Sequence, residues 1–320
     1  MTSVGCNAWH RPVMLDASVD ALQVRSDGLY VDVTAGGGGH SAAILASLGP
    51  EGCLYAADRD PEALEATKAR LDATETEATV HVVRASFSEF PQWLPERLWG
   101  GVDGLIADLG VSSHQLDTAE RGFSYLSDGP LDMRMNPDQA TTAADLIAHT
   151  EEDDLVALLR LYGEERYATS IARAIVRQRA SSSITRTLEL AELVTHAVPP
   201  RARRDGHPAR RTFQALRMAV NAEPSELSHL LHVLPEVMAP GGRVAIISFH
   251  SLEDRMVKQA MRRWESPCEC PPQLPCVCGK QSLGKMITNK PHTPDASEVD
   301  RNRRARSAKL RVFLFEEADR

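Results

Sequence analysis

Four consecutive glycines and a histidine, Gly36-Gly37-Gly38-Gly39-His40, have the composition of a turn that grips a nucleotide-like ligand. Glycine tolerates positive φ and lets a ligand lie against bare backbone N–H groups, and a following helix start adds donors. Asp58 follows at the spacing where a carboxylate is expected to meet ribose hydroxyls. Within the run, Gly37-x-Gly39-x-x-Ala42 satisfies the dinucleotide fingerprint, so these residues alone leave NAD open beside other nucleotide cofactors. Four adjacent glycines accommodate almost any short spacing, which makes that match weak.

Such residues need a scaffold, and the first third of the chain supplies it. Short β-rich runs at 29–33, 53–57, 79–84 and 102–107 alternate with helical stretches beginning at Ser41 and at Pro61. Asp60-Pro61 reads as a helix start, with a capping carboxylate and proline at the first helical position. Strand, helix and strand at this spacing imply right-handed βαβ units and a doubly wound, mostly parallel α/β sheet. Ligands of such sheets bind beyond the carboxyl ends of the strands. Those ends carry Asp32 and the glycine turn, then Asp58, then Ala85-Ser86-Phe87, then Asp108 to Gln115, and last Ser248 to Arg255.

From about 118 to 213 the pattern is helical only, with segments at 143–147, 153–161, 168–179 and 188–197. Afterwards a helix at 225–238, a turn at Pro240-Gly241-Gly242 and an apolar strand at 243–249 restore the α/β pattern. A terminal strand at 310–315 with alternating polarity could sit antiparallel in the mostly parallel sheet. The expected division is 1–117 with 214–320 for the sheet domain and 118–213 for an inserted helical domain.

Charge is unevenly placed. The chain of 320 residues has a net charge of −8, against nonspecific binding to nucleic acid, yet residues 157–217 hold twelve arginines against five acids. Residues 301–311 add six basic residues and no acid. Two basic segments on an acidic chain fit a localised polyanion site as well as solvated helix faces. No apolar run approaches the length of a membrane span and the start carries no signal-type segment, so a cytoplasmic protein is expected.

Taken together, the motifs resemble a family: the bacterial S-adenosylmethionine-dependent methyltransferases that modify the N4 amine of a cytosine in small-subunit (16S) ribosomal RNA. The resemblance rests on His10-Arg11-Pro12-Val13, the 36–41 turn, Asp58-Arg59-Asp60-Pro61, Asp108-Leu109-Gly110-Val111-Ser112-Ser113, Gln115-Leu116-Asp117 and Arg121-Gly122-Phe123-Ser124. It continues through Arg211-Thr212-Phe213-Gln214-Ala215-Leu216-Arg217, residues 248–255 and residues 304–311. It implies a class I methyltransferase sheet and S-adenosylmethionine as cofactor. Gly38, Gly39 and His40 would touch the methionine part, Asp58 the ribose and Phe87 the adenine. Asp108 would lie between cofactor and reacting centre, and Gln115 would complete the pocket. The implied reaction is direct in-line transfer to a cytosine of the decoding region, with ribosomal RNA or the 30S particle as partner and the insertion reading the substrate. Where many amine methyltransferases carry Asp/Asn-Pro-Pro-aromatic, this chain has Asp108-Leu109-Gly110-Val111. An NAD-dependent oxidoreductase and a non-catalytic RNA-binding factor are the rival readings.

His250 invites a general-base role, but Ser251 with Asp254 resembles a capping box that would make the segment structural. Cys268, Cys270, Cys276 and Cys278 form Cys-x-Cys-(x5)-Cys-x-Cys, which zinc could occupy, although the spacing is tighter than the usual zinc pattern. A proline-rich loop without metal is the alternative.

Overall fold

The computed structural model describes residues 12–317 except 272, 274 and 276. His10, Arg11, Cys276 and residues 318–320 therefore lie outside the described residues. The chain divides into two compact units: Val111–Glu223, and a second that joins the segment ending at Gly110 to the segment beginning at Pro224.

The second unit is built on a seven-stranded sheet of the described residues. In chain order the strands are β1 (Leu29–Asp32), β2 (Cys53–Asp58), β3 (Thr79–Arg84), β4 (Val102–Asp108), β5 (Met238–Ser248), β6 (Gly284–Met286) and β7 (Lys309–Phe315). Their spatial order is β3-β2-β1-β4-β5-β7-β6. The first five are parallel, while β7 runs antiparallel to β5 and to β6, as the terminal run predicts. The order reverses between β1 and β4, and the crevice at such a switch point is where doubly wound sheets bind ligands.

Alternation along the strands builds a core on each face. Val31, Leu105, Ala107, Val244, Ile246 and Phe313 point to one side, against Leu227, Leu230 and Leu234 of the helix Glu223–Val237 and Met261 and Trp264 of the helix Ser251–Glu265. Tyr30, Ile106, Ala245, Ile247, Leu310 and Val312 face the other way, with Leu22, Ile44 and Leu45. The inner strands are apolar on both faces because helices cover both, and truncating a fully buried Leu105 or Ile106 to alanine costs about 2–5 kcal/mol. The edge strand β3 is largely exposed, consistent with its more polar sequence.

Two local expectations change. Pro240-Gly241-Gly242 is not a turn between elements but part of β5, where the register against β4 shifts from Val102↔Met238 to Gly104↔Arg243. Residues 239–242 have no partner on β4 across this shift, and a Cβ at Gly242 would sit 2.7 Å from the Val102 carbonyl oxygen. The short helix Leu15–Leu22 and the strand β6 are elements that the residue pattern does not announce.

The first unit is helical. Ala143–His149, Glu152–Gly163, Ala168–Arg179, Thr187–Ala197 and Arg210–Val220 bury Ile147, Leu155, Leu159, Ile171, Ile175, Leu190, Val194, Phe213 and Leu216 in one core. The repeats at three and four residues put each apolar stripe on one helix face. Thr142 and Asp145 form a reciprocal cap at the first of these helices. The helix Arg210–Val220 packs on Glu152–Gly163, so the Arg211–Arg217 segment belongs to this helical unit. Among the described residues no helix is long and apolar enough to cross a membrane.

Candidate active site

At the end of β1 the chain enters the glycine turn through Thr34. The Gly38 N–H donates to the Ala35 carbonyl at 2.7 Å, closing the turn, and the Ala35 N–H donates to the Ala57 carbonyl at 2.9 Å. Gly36 and Gly38 have φ of +54° and +73°, the left-handed region, and a Cβ at Gly38 would meet the Thr67 Cα at 3.0 Å. Thr67 donates its hydroxyl to the Gly36 carbonyl at 2.8 Å, fixing the turn against the helix Pro61–Asp72. Gly39 answers to packing: a Cβ there would fall 2.1 Å from the Pro12 ring.

Asp58, at the end of β2, accepts the Gly36 N–H at 2.8 Å on one oxygen and the Asp60 N–H at 2.9 Å on the other. The first bond ties the ribose-site candidate to the glycine turn and leaves each oxygen a further lone pair for a diol. Burial raises the Asp58 pKa, an effect that these bonds oppose. Asp60 caps the next helix by accepting the Glu62 N–H at 3.1 Å, as Asp60-Pro61 predicts.

Beyond β3, Phe87 is half-buried in a short 3-10 turn whose Ser86 and Glu89 cap each other. The Arg59 guanidinium stands 5.6 Å from its ring centroid and pairs with Glu226 at 3.0 Å. Arg59 follows Asp58 directly, so the ends of β2 and β3 are linked through one side chain.

Asp108 closes β4. Its N–H donates to the Thr34 hydroxyl oxygen at 2.6 Å, joining it to the mouth of the glycine turn. Its Oδ1 is buried and has no hydrogen-bond partner among the described residues. Burial, then the charges of Asp32 and Glu253, push the Asp108 pKa well up. Asp32 is buried below β1's end, accepting the Ser41 hydroxyl at 2.6 Å and the Thr34 N–H at 3.1 Å. Burial first raises its pKa to about 6, against the pull of those bonds and with a push from Asp58.

His40 is buried, and burial depresses its pKa to about 4 although the Val13 backbone holds its ring by a hydrogen bond. The imidazole is therefore neutral near pH 7, and its Nε2 has no partner among the described residues.

Thus one stretch of backbone, Thr34 to Gly38, is bonded to Asp108 at Thr34 and to Asp58 at Gly36, Phe87 adjoins Asp58 through Arg59, and His40 follows the turn in the helix Gly39–Leu45. Gln115 is in the helical unit. Its Oε1 accepts the Ser112 N–H at 3.0 Å and its own N–H donates to the Ser112 hydroxyl at 3.1 Å, so its side chain serves as a helix cap.

Residue type and spacing assign no role to Asp32, Thr34 or Glu253. A carboxylate and a hydroxyl at a strand's carboxyl end are the visible signal for the first two. Glu253 is hidden by a misleading cap pattern: the helix Ser251–Glu265 is capped by His250, not Ser251, and the His250 ring accepts the Glu253 N–H. His250 Nδ1 accepts the Glu253 N–H at 3.4 Å, Nε2 lies 3.0 Å from Glu253 Oε1, and Glu253 Oε2 accepts the Phe249 N–H at 3.0 Å. The extended backbone at His250 carries the cap one residue earlier than the Ser251–Asp254 pattern suggests. Asp254 is engaged elsewhere, accepting from Lys309 at 3.0 Å and Arg311 at 2.7 Å.

The donor set fits S-adenosylmethionine. A buried carboxyl with an unused oxygen, beside two more acids, favours a cation, and this cofactor has a sulfonium. A carboxylate with lone pairs to spare suits the ribose, and a half-exposed aromatic ring suits a purine.

Residues 7–316 match the model of the MraW methylase family. A Symbiobacterium thermophilum protein named ribosomal RNA small subunit methyltransferase H is 48% identical over 307 residues, 95% of this chain and 96% of its own length. A protein of the same name from Heliobacterium mobile is 47% identical over 306 residues, 95% and 97% of the two chains. A solved rRNA methylase from Streptococcus thermophilus aligns over 94% of this chain and 95% of its own at 11% identity and a TM-score of 0.42, too low to add to the assignment. With the match to the family spanning nearly the whole sequence and the glycine turn, Asp58 and Asp108 joined at the switch point, the chain belongs to the MraW methylase family and is an S-adenosylmethionine-dependent methyltransferase.

Proposed function

We propose that this enzyme methylates the exocyclic N4 amine of a cytosine in small-subunit ribosomal RNA, in the decoding region. The names of relatives 47–48% identical over nearly the full chain support the RNA, and the motif resemblance supports the base and the region. The observation that carries the chemistry is the buried, unpartnered Oδ1 of Asp108 at the crevice between β1 and β4.

S-adenosylmethionine, when bound, supplies an electrophilic methyl group on a positively charged sulfur. The chain's part is to hold, orient and dry the reactants. Asp58 takes the ribose hydroxyls, the turn around Gly38 presents backbone N–H groups, and Phe87 offers a face to the adenine. A cytosine amine is a poor nucleophile because its lone pair is delocalised into the ring. Asp108 Oδ1 accepts one of its N–H bonds, orients the nitrogen and favours a more tetrahedral geometry. One C–N bond forms as one C–S bond breaks, and the nitrogen then sheds a proton to water. His250 is committed to its helix cap and is left out of the proton path. The base must leave its stack to react, at a cost of a few kcal/mol that is smaller in a loop.

The helical unit Val111–Glu223 is the substrate reader in this proposal. Arg166, Arg177, Arg201 and Arg210 are exposed there and suited to phosphate. Methyl transfer to 30S particles and to free small-subunit RNA, followed by nucleoside mass spectrometry and mapping, tests the assignment. N4-methylcytidine at one decoding-region position is expected. A methyl group on carbon 5, on a ribose oxygen or on another base overturns it.

A further inference from the structure

Between the helix Ser251–Glu265 and β6 runs a segment of residues 266–283 with no helix or strand among its described residues. Its ends are tied together, with the Leu283 N–H donating to the Trp264 carbonyl at 2.8 Å, and Trp264 is anchored against Phe313 and Phe315 of β7. Among its described residues Val277 is 88% exposed, and Cys268 and Cys278 are exposed. Loops longer than about 12–15 residues without secondary structure are uncommon and usually functional or linker segments.

Three thiols come together there. The sulfurs of Cys268, Cys270 and Cys278 all lie within 4.8 Å of one another, and none of the three is in a disulfide. Thiolates around tetrahedral zinc, at about 2.3 Å from the metal, stand roughly 3.8 Å apart, so closure needs about 1 Å or less at any pair. Two details of the backbone point the same way. The Val277 N–H donates to Cys270 Sγ at 3.4 Å, a bond that stabilises charge on a ligating sulfur. Gly279, directly after Cys278, has φ +63°, so the chain turns sharply just past the last sulfur. The Lys280 ammonium, paired with Glu269 at 2.8 Å, is within electrostatic reach of Cys278 and Cys268 and offsets part of a thiolate cluster's charge.

We infer that Cys268, Cys270 and Cys278 form the thiolate core of a structural zinc site that closes the loop between the helix Ser251–Glu265 and β6. Three soft sulfurs select zinc over magnesium or calcium, and a d10 ion imposes no geometry that the loop must strain to meet. Each thiol releases its proton to solvent as it ligates, and no electron is transferred. The role of the site is to order the loop. Cys276 is outside the described residues and is not needed for the inference.

Metal analysis of the full chain, purified under reducing conditions without chelator, reads this directly. Stoichiometric zinc is expected, released in step with modification of the thiols by a mercurial reagent and lost in Cys268→Ser and in Cys278→Ser. Because a serine variant can lose metal by misfolding, the stripped wild-type chain is also refilled with cobalt(II), which should give the intense visible bands and sulfur-to-metal charge transfer of a tetrahedral thiolate site. A chain that arrives without zinc and binds cobalt(II) only with the pale spectrum of the hydrated ion overturns the inference. So does a disulfide between any two of the three in unreduced protein.

Discussion

Asp32 and His40 are buried on either side of the glycine turn, and their titrations oppose each other. Asp32 has a pKa of about 6 in the folded chain against 3.8 for the ordinary carboxyl. The folded state therefore holds the extra proton between those values, and stability falls as pH rises through that window, by on the order of 3 kcal/mol in full. His40 has the other sign. Its pKa of about 4 against 6.5 makes the folded state bind fewer protons there, so its contribution is lost as pH falls from 6.5 towards 4, again by on the order of 3 kcal/mol. In the wild type the two nearly cancel. Asp32→Asn removes the first, and urea denaturation of that variant is expected to show progressive loss of stability from about pH 6.5 down to about pH 4, steeper than wild type. Parallel profiles for variant and wild type would show that Asp32 does not titrate as its burial requires. Asp108 is tested by kinetics: Asp108→Ala should lower kcat by about 10²–10³-fold, the scale for losing one preorganised polar partner. A variant that turns over near the wild-type rate would remove Asp108 from the reaction. His250 makes the contrasting case, for its cap role predicts a kcat that is flat between about pH 6 and pH 8.

At the scale of elements, the turn between β1 and the helix Gly39–Leu45 depends on its shape more than on its chemistry. Gly38→Ala forces a side chain into a left-handed position and onto Thr67, which should cost about 1–2 kcal/mol of stability and weaken S-adenosylmethionine binding in calorimetric titration. Asp60→Ala should cost about 1 kcal/mol through the missing cap while leaving the turn's backbone in place. If Gly38→Ala binds the cofactor as wild type does, the turn is not its cradle. Much at this scale is legible in the residues. β1, β2, β3 and β4 show as short apolar or β-branched runs, and Asp60-Pro61 marks a helix start, because burial and capping are local demands on residue type. The register shift in β5 and the His250 cap are not legible. Pro240-Gly241-Gly242 has turn chemistry, and only the pairing of Met238 and Arg243 on either side of it with β4 carries the strand through. Ser251–Asp254 has the cap pattern, and only the extended backbone at His250 moves the cap by one residue.

For the whole molecule, the arginine count changes meaning once partners are known. Of the twelve in 157–217, Arg173 pairs with Glu152, Arg186 with Asp128 and Arg217 with Glu223, while Arg160, Arg179 and Arg211 donate to Thr169 or to backbone carbonyls. The terminal basic run is likewise divided, since Lys309 and Arg311 hold Asp254. Net basic content therefore overstates the surface available to RNA. Arg177→Ala with Arg201→Ala should weaken binding to 30S particles, with thermal stability unchanged. The slope of log affinity against log salt should shrink by about 0.7–0.9 for each phosphate that these arginines neutralise in the wild type. Arg217→Ala should do the reverse, lowering stability because Glu223 keeps its buried carboxylate without the bidentate partner. Equal salt slopes for the double variant and wild type would show that these arginines are not the phosphate grip.

The amino-acid sequence by itself determined the alternation of strands and helices, the glycine turn, the strand-end carboxylates and, through motifs in a single order, the family. Each of these is written in residue type and spacing, because secondary structure, turn geometry and ligand chemistry all constrain local choice. Only the tertiary structure decided which of those polar residues act together. It set the strand order that brings Asp32 and Asp108 to one crevice, the bonds that join Thr34 to Asp108 and Gly36 to Asp58, and the assignment of Gln115 and His250 to helix caps. It also gathered Cys268, Cys270 and Cys278 at one point of a loop. These are relations between distant or differently folded segments, and pairing, burial and desolvation act on them only after the chain has closed.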